Sequence, residues 1–174
     1  MLILAFETSC DDTSVALFED SKLLAMNTKS QIREHQATVG VVPEVAARLH
    51  ANNIFSVLEK TLTDAGKTYK DIEYIACTTE PGLLPSLLVG MTVAKTLSHS
   101  LGIPLIPINH IQAHIFANLL ERNLEELKFP VMCLTVSGGH NELYYWKALF
   151  DLERVGETRD DASGEAFDKV AKML

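Results

Sequence analysis

The chain has 174 residues, of which 47% are hydrophobic and 22% are charged, as in ordinary folded globular proteins. Its net charge of −8 excludes nucleic-acid binding by bulk electrostatic attraction, so basic patches or partner proteins would have to provide it. No stretch reaches the roughly 18 apolar residues that span a membrane. Because the N-terminus lacks a basic segment and Cys10, Cys77 and Cys133 lie far apart, we expect no signal peptide and a cytoplasmic protein with reduced thiols.

Strand-like and helical patterns alternate through the first part of the chain. In chain order, the predicted strands are residues 2–7, 14–18, 22–28, 72–78 and 103–108, and the predicted helices are 43 to near 66, 86–101 and 110–122. A polar loop covers residues 34–43. Helix 86–101 is apolar on most sides, so we expect it to be buried. The alternation predicts an α/β layered lobe with a largely parallel core.

The second part of the chain repeats the beginning of that order after a polar connection. Three predicted strands, at residues 131–136, 142–149 and 152–157, precede a helix that begins at Ser163. We therefore predict duplicated lobes over residues 1–125 and 126–174. The second lobe is expected to be truncated, because its helix reaches Leu174 without a cap or a turn residue. A polar hairpin in each copy suggests two loops that face one ligand.

The loop after the first strand is rich in carboxylates and hydroxyl groups. Glu7, Asp11 and Asp12 could hold Mg²⁺ through water, or orient a nucleophile or a ribose hydroxyl. The alternative is an Asx turn that only stabilises the hairpin.

Three further segments have spacings that suit a ligand. The backbone amides of Ser137-Gly138-Gly139 can approach an anionic oxygen closely, although a plain hairpin turn is the alternative. Residues 80–86 either receive an anion at the start of a helix or form a rigid strand-to-helix turn. Residues 156–169 combine acidic side chains with glycines. This mixture favours a helix that faces a ligand over a run of charges that is only exposed to solvent.

Two histidines stand four residues apart directly after the predicted strand 103–108. Asn109 is a suitable N-cap for a helix that begins at His110, and on that helix His110 and His114 share one face. Both rings can then point at one metal ion, although two unrelated surface histidines are the alternative. A third ligand is still required.

Taken together, these motifs resemble the TsaD family, the universal tRNA threonylcarbamoyltransferases of the actin, sugar-kinase and heat-shock ATPase superfold, whose lobes are ribonuclease-H-like. The resemblance runs from Met1 to Leu174. The motifs that carry it are residues 7–13, 42–48, 81–83 with 86–90, 109–114, 136–140, 156–158 and 164–169. Each is modest alone, and their shared order is specific.

The resemblance implies transfer of a threonylcarbamoyl group from threonylcarbamoyl-AMP to the N6 amine of the adenosine beside the anticodon, in tRNAs that read codons starting with A. It implies one metal ion on His110 and His114, iron by family analogy with zinc as the alternative, and Mg²⁺ with the nucleotide. It also implies that Asp11, the candidate catalytic residue, helps to shape the nucleotide pocket. Substrate contacts are implied for a set of residues in the second lobe, namely Thr135, Val136, Ser137, Gly138, Gly139 and Asp168. The implied partners are tRNA, a smaller TsaB-like paralogue and a TsaE-like ATPase subunit, with no membrane.

The chain also departs from the family. Glu80 and Pro85 each stand at a position where the family usually has glycine. These two departures put the ligand role of the loop 80–86 in doubt. Family members are longer, and the additional portion supplies an aspartate as a further metal ligand. We therefore expect residues 1–174 alone to be catalytically inactive.

Three competing hypotheses come with the resemblance. A zinc protease of the histidine-glutamate type would need Glu directly after His110, where Ile111 stands. A kinase of the same superfold would share the hairpin loops but has no use for the histidine pair. A non-catalytic scaffold paralogue typically lacks both that pair and the segment 165–168.

Overall fold

The computed structural model describes residues 1–36, 40–120 and 127–173, which form two compact units. The first unit is Met1–Ala113 and the second is His114–Leu174. The predicted lobe boundary at residues 125/126 lies outside the described residues. None of the helices in the described ranges has the length and apolar character needed to cross a membrane.

The first unit is built on a five-stranded sheet with the strand order β3-β2-β1-β4-β5. In chain order its elements are β1 (Leu2–Glu7), β2 (Asp12–Glu19), β3 (Lys22–Ser30), α1 (Ile32–His35), α2 (Pro43–Ala65), β4 (Tyr74–Glu80), α3 (Leu84–Leu101), β5 (Leu105–Asn109) and α4 (His110–Phe116), which continues into the second unit. Strand β1 pairs antiparallel with β2 and parallel with β4, and β4 pairs parallel with β5. The predicted parallel core is therefore confirmed.

Local chemistry explains where the long helices begin and end. Helix α2 starts at Pro43, whose fixed φ suits the first helical turn. It ends at Gly66, which adopts the left-handed conformation with a φ of 62° and donates its N–H to the last turn. Every second residue of β1 (Leu2, Leu4 and Phe6) is buried in a core that α2 and α3 share.

Several of the predicted elements differ from the structure, and helix α4 ends at Phe116 instead of the predicted residue 122. Helix α3 is not buried on most sides, because Leu84 and Leu88 are 67% and 50% exposed while Leu87, Val93 and Ala94 face the core. Part of the predicted loop at residues 34–43 is the end of α1, which is too short to show a helical pattern in the sequence.

The second unit contains a three-stranded antiparallel sheet, β6 (Val131–Val136), β7 (Asn141–Ala148) and β8 (Asp151–Glu157), followed by α5 (Ser163–Met173). Its core is aromatic: the buried Trp146 makes edge-to-face contacts with Phe116 and Phe129, each with ring centroids 5.2 Å apart. An antiparallel hairpin, a third antiparallel strand and then a helix is also the order in which the first unit begins, as the predicted repeat requires.

Candidate functional site

Three parallel strands end side by side in the first unit, and each ends in a polar residue. Strand β1 ends at Glu7, β4 at Glu80 and β5 at Asn109. In open α/β sheets, ligands bind outside the carboxyl ends of such strands. This edge of the sheet is therefore the candidate site of the first unit.

Glu7 is the centre of a hydrogen-bonded group at this edge, which we call the Glu7 cluster (Glu7, Ser9, Thr78 and His110). Its Oε1 accepts the backbone N–H of Ser9 at 2.5 Å, and its Oε2 accepts the Thr78 hydroxyl at 2.6 Å. The Nδ1 atom of His110 lies 3.0 Å from the same Oε2 and 3.1 Å from Ser9 Oγ. The ends of β1 and β4 are thereby joined to the first residue of α4.

The Glu7 cluster keeps a carboxylate ionised in a half-buried position. Burial raises the pKa of Glu7, but hydrogen bonds from His110, Ser9 and Thr78 and the charge of His110 outweigh burial and lower the pKa from 4.5 to about 2. Glu7 is therefore a fixed negative charge beside His110 at neutral pH.

Helix α4 places both candidate metal ligands. The Oδ1 atom of Asn109 accepts the N–H groups of Ile111 at 3.0 Å and of Gln112 at 3.1 Å, which confirms the predicted N-cap. The helix therefore begins at His110, and His114 follows one turn later on the same helix.

The metal that the resemblance implies fits this arrangement in part. A histidine whose Nδ1 faces a carboxylate is the usual orientation of a metal ligand, because the carboxylate directs the other ring nitrogen to the metal. Within the described ranges, no group of three or more His, Cys, Asp or Glu side chains is placed to hold a metal ion. His110 and His114 thus offer two ligands, and further ligands would be water or groups outside those ranges.

The loop that carries Asp11 is held in place through its backbone. Three successive carbonyl oxygens, of Ser9, Cys10 and Asp11, each accept one hydrogen bond. In that order, the donors are Leu83 N at 2.8 Å, His50 Nε2 at 2.9 Å and Gln31 N at 2.9 Å. The side chain of Asp11 remains partly exposed on this fixed backbone.

His50 is a buried link between α2 and that loop. Because its Nε2 donates to the Cys10 carbonyl, its Nδ1 accepts the Thr13 hydroxyl at 2.8 Å. Burial lowers the pKa of His50, and only the neutral ring can make both bonds. Neither His50 nor Thr78 was among the residues that the sequence predicted for the site.

The structure favours the turn interpretation of residues 80–86. The N–H of Leu83, at the start of α3, is already bonded to Ser9. A Cβ atom on Gly82 would lie only 2.7 Å from the Ser9 carbonyl oxygen, so this glycine allows two backbones to meet. The segment supports the Asp11 loop.

The second unit brings the glycine turn and the start of α5 together. The turn is closed by Ser137, whose N–H and hydroxyl both donate to the His140 carbonyl, at 3.0 and 2.8 Å. A Cβ atom on Gly164 would lie 2.6 Å from Gly138 Cα, so the helix packs directly on the turn. A Cβ on Gly138 or Gly139 would meet nothing within 4 Å, so this side of the turn is open.

The remaining predicted substrate residues lie beside that turn. Asp168 is exposed on α5 and follows Gly164 by four residues, so it lies on the side of the helix that meets the turn. Thr135 and Val136 end β6 just before Ser137, and the Thr135 hydroxyl donates to the Glu142 carbonyl at 3.2 Å. Their contact with substrate stays a prediction.

Comparison with solved structures defines the class of fold. The chain is similar to YeaZ from Pseudomonas aeruginosa, with a TM-score of 0.59, 19% identity and coverage of 90% of this chain and 66% of that one. It is also similar to component A of the (R)-2-hydroxyglutaryl-CoA dehydratase of Acidaminococcus fermentans, with a TM-score of 0.54, 12% identity and coverage of 100% and 54%. The chain has the α/β fold of the actin, sugar-kinase and heat-shock ATPase class.

Comparison of sequences then gives the family. The model of the family "TsaD: tRNA N6-adenosine threonylcarbamoyltransferase" matches residues 22–174, and the chain belongs to that family. Relatives that carry this enzyme name occur in Thermodesulfovibrio yellowstonii, 50% identical over 100% of the chain, and in Lacticaseibacillus casei, 48% identical over 99%. The chain spans about half the length of these relatives, 52% and 50%.

Proposed function

We propose that this chain takes part in the transfer of a threonylcarbamoyl group from threonylcarbamoyl-AMP to the N6 amine of the adenosine beside the anticodon of tRNA. The observation that carries this proposal is the 50% identity, over the whole chain, to a relative named tRNA N6-adenosine threonylcarbamoyltransferase. The Glu7 cluster supports it, because its geometry suits a metal-ligand histidine.

In the proposed reaction the N6 nitrogen attacks the carbamoyl carbon and forms a new C–N bond. The bond from that carbon to the phosphate oxygen breaks, AMP leaves with the electron pair, and the nitrogen loses a proton. A metal ion on His110 and His114, which we propose to be iron, would supply Lewis-acid polarisation of a substrate oxygen. Glu7 and Ser9 hold the His110 ring in position for that ion.

Each unit has its own part in this proposal. In the first unit, Asp11 is the candidate catalytic carboxylate that shapes the nucleotide pocket, with Mg²⁺ accompanying the nucleotide. In the second unit, the open Gly138–Gly139 side of the turn would offer backbone N–H groups to oxygens of the activated substrate, and Asp168 would contact it from α5.

The acidity of the chain bears on its partners. With a net charge of −8, it has little general attraction for tRNA phosphates. We propose that a TsaB-like paralogue and a TsaE-like ATPase assist the reaction in the cytoplasm. Removal of the paralogue should then weaken tRNA binding more than binding of threonylcarbamoyl-AMP.

A chimera tests the proposed activity directly. Residues 1–174 replace the matching segment of the Thermodesulfovibrio yellowstonii relative, and transfer of labelled threonine from threonylcarbamoyl-AMP to tRNA is measured. We expect a functional chimera, loss of transfer on Asp11→Ala, and no transfer by residues 1–174 alone. A folded chimera that binds tRNA but transfers no label contradicts the proposal, and phosphorylation of a sugar instead would favour the kinase hypothesis.

Metal content tests the histidine pair separately. We expect His110→Ala and His114→Ala each to lower the iron content of the chimera at least tenfold. His99→Ala, which removes an exposed histidine near the end of α3, is the matched control and should leave the iron content unchanged. Unchanged iron in both α4 variants would refute the ligand assignment.

A further inference from the structure

The Glu7 cluster determines which ring nitrogen of His110 carries the proton. A carboxylate accepts hydrogen bonds and donates none, so the His110 Nδ1 atom, 3.0 Å from Glu7 Oε2, must be the donor in that contact. A neutral imidazole with its proton on Nδ1 has its lone pair on Nε2. Nε2 is then the ring nitrogen that can bind a metal ion.

We propose that Glu7 is the positioning residue that fixes His110 as the Nδ1–H tautomer and so makes Nε2 the metal-binding nitrogen. The part that concerns the metal rests on the proposed function, whereas the tautomer itself does not. Glu7 acts through His110 and is not itself a ligand in this assignment.

The carboxylate is held in place independently of His110. One oxygen is fixed by the Ser9 N–H, on the loop after β1, and the other by the Thr78 hydroxyl, on β4. Because these donors come from the loop after β1 and from the adjacent strand β4, Glu7 has its orientation before the histidine ring contacts it. The ring therefore meets a preorganised acceptor, and its own rotation is limited by the Ser9 hydroxyl at 3.1 Å.

A glutamine at position 7 cannot reproduce this pattern. Its single oxygen must accept the Ser9 N–H, since an amide NH₂ group there would face another donor. The NH₂ group then faces His110 and donates to Nδ1. Glu7→Gln is therefore expected to reverse the tautomer of His110, so that Nε2 carries the proton and no longer offers a lone pair.

Histidine ¹⁵N NMR reads this tautomer in the metal-free protein. Spectra are recorded over a series of pH values, and the tautomer is read where the two ¹⁵N shifts show a neutral ring. The His110 signals are assigned by their loss in His110→Gln. We expect the Nδ1–H form in the wild type and in Glu19→Gln, and the Nε2–H form in Glu7→Gln. Glu19 is the matched control, because it is an exposed carboxylate of the same unit, and among the described residues its ion pair is with Lys67.

Calorimetric titration of the chimera with Zn²⁺ alone supplies the second measurement. Loss of a carboxylate that orients a metal-ligand histidine typically weakens metal binding about 10–100-fold, and we expect this loss for Glu7→Gln but not for Glu19→Gln. A wild-type Nε2–H tautomer overturns the inference, and it can be recorded even where Glu7→Gln does not fold. Equal Zn²⁺ affinity in wild type and Glu7→Gln also overturns it, yet leaves the proposed function standing. A wild type with the Nδ1–H tautomer that takes up no Zn²⁺ supports the role of Glu7 and refutes the proposed metal site.

Discussion

Because Gly90 packs against Thr8, we expect Gly90→Ala to destabilise the protein, although helix propensity alone predicts that alanine stabilises it. Gly90 lies in the middle of α3, where alanine is intrinsically more stable than glycine by about 1 kcal/mol. A Cβ atom at this position, however, would lie 2.4 Å from Thr8 Oγ1 and 3.3 Å from Thr8 Cγ2. Thr8 is buried and its hydroxyl donates to the Ser86 carbonyl at 2.9 Å, so it has no open space to move into.

The size of the effect follows from these contacts. Overpacking of a dense core costs about 1–3 kcal/mol, and a buried hydroxyl that loses its hydrogen bond costs about 1–3 kcal/mol more. After the gain from helix propensity, we expect Gly90→Ala to lower the free energy of unfolding by about 1–5 kcal/mol. Urea unfolding followed by far-UV circular dichroism measures the change. Ala51→Gly, on the exposed side of α2, gives the propensity term in the same protein.

A double-mutant cycle identifies the cause of that loss. Thr8→Ala removes the two atoms nearest to the new methyl group, so it should cost less in the Gly90→Ala background than in the wild type, by at least about 1 kcal/mol. Additive effects of the two substitutions would refute the steric argument. A Gly90→Ala variant as stable as the wild type would refute the whole reasoning.

Three more predictions concern single residues. Gly164→Ala should separate α5 from the glycine turn and so speed amide hydrogen exchange at the turn. Gly139→Ala is the control and should leave exchange unchanged, because its new Cβ meets nothing within 4 Å. Equal exchange rates in the two variants would contradict the packing of α5 on the turn. Because the pKa of Glu7 is lowered from 4.5 to about 2, its contribution to the free energy of unfolding is complete above pH 4.5 and is lost as the pH falls towards 2. With the Glu7 side chain 32% exposed, we expect this contribution to be at most about 3 kcal/mol. In Glu7→Gln, the free energy of unfolding measured in urea should therefore depend less on pH over that range. Because burial lowers the pKa of His50, its contribution to the free energy of unfolding is complete above the ordinary value of 6.5 and is lost as the pH falls below it. If the free energy of unfolding of His50→Phe falls with acid pH as steeply as that of the wild type, this reasoning is wrong.

Local signals in the sequence predicted the elements that depend on local chemistry. Strands β1 and β6 match their predicted bounds, because alternating burial or a flanking turn marks both ends. Helix α2 matches because Pro43 and Gly66 act through their own backbone angles. Helix α3 begins at Leu84, two residues before its predicted start, because Pro85 suits the first turn of a helix.

The Glu7 cluster could not be predicted in the same way. Glu7 and His110 are 103 residues apart, and they meet only because β1, β4 and β5 lie side by side in parallel. The sequence marks Glu7 as one of several carboxylates near a loop, and it predicts for Thr78 no more than a place at the end of a strand. The signal that the sequence offers is the place of the residues along their strands, since Glu7 and Thr78 stand at or near the carboxyl ends of the neighbouring parallel strands β1 and β4.

Trp146 also has a practical consequence, because it is the only tryptophan in the chain. It is buried within the second unit between Phe116 and Phe129, so its fluorescence spectrum reports solvent entry into that unit alone. Circular dichroism, in contrast, sums over both units. A red shift in emission that precedes or follows the change in ellipticity during one urea titration would resolve two unfolding steps without a label.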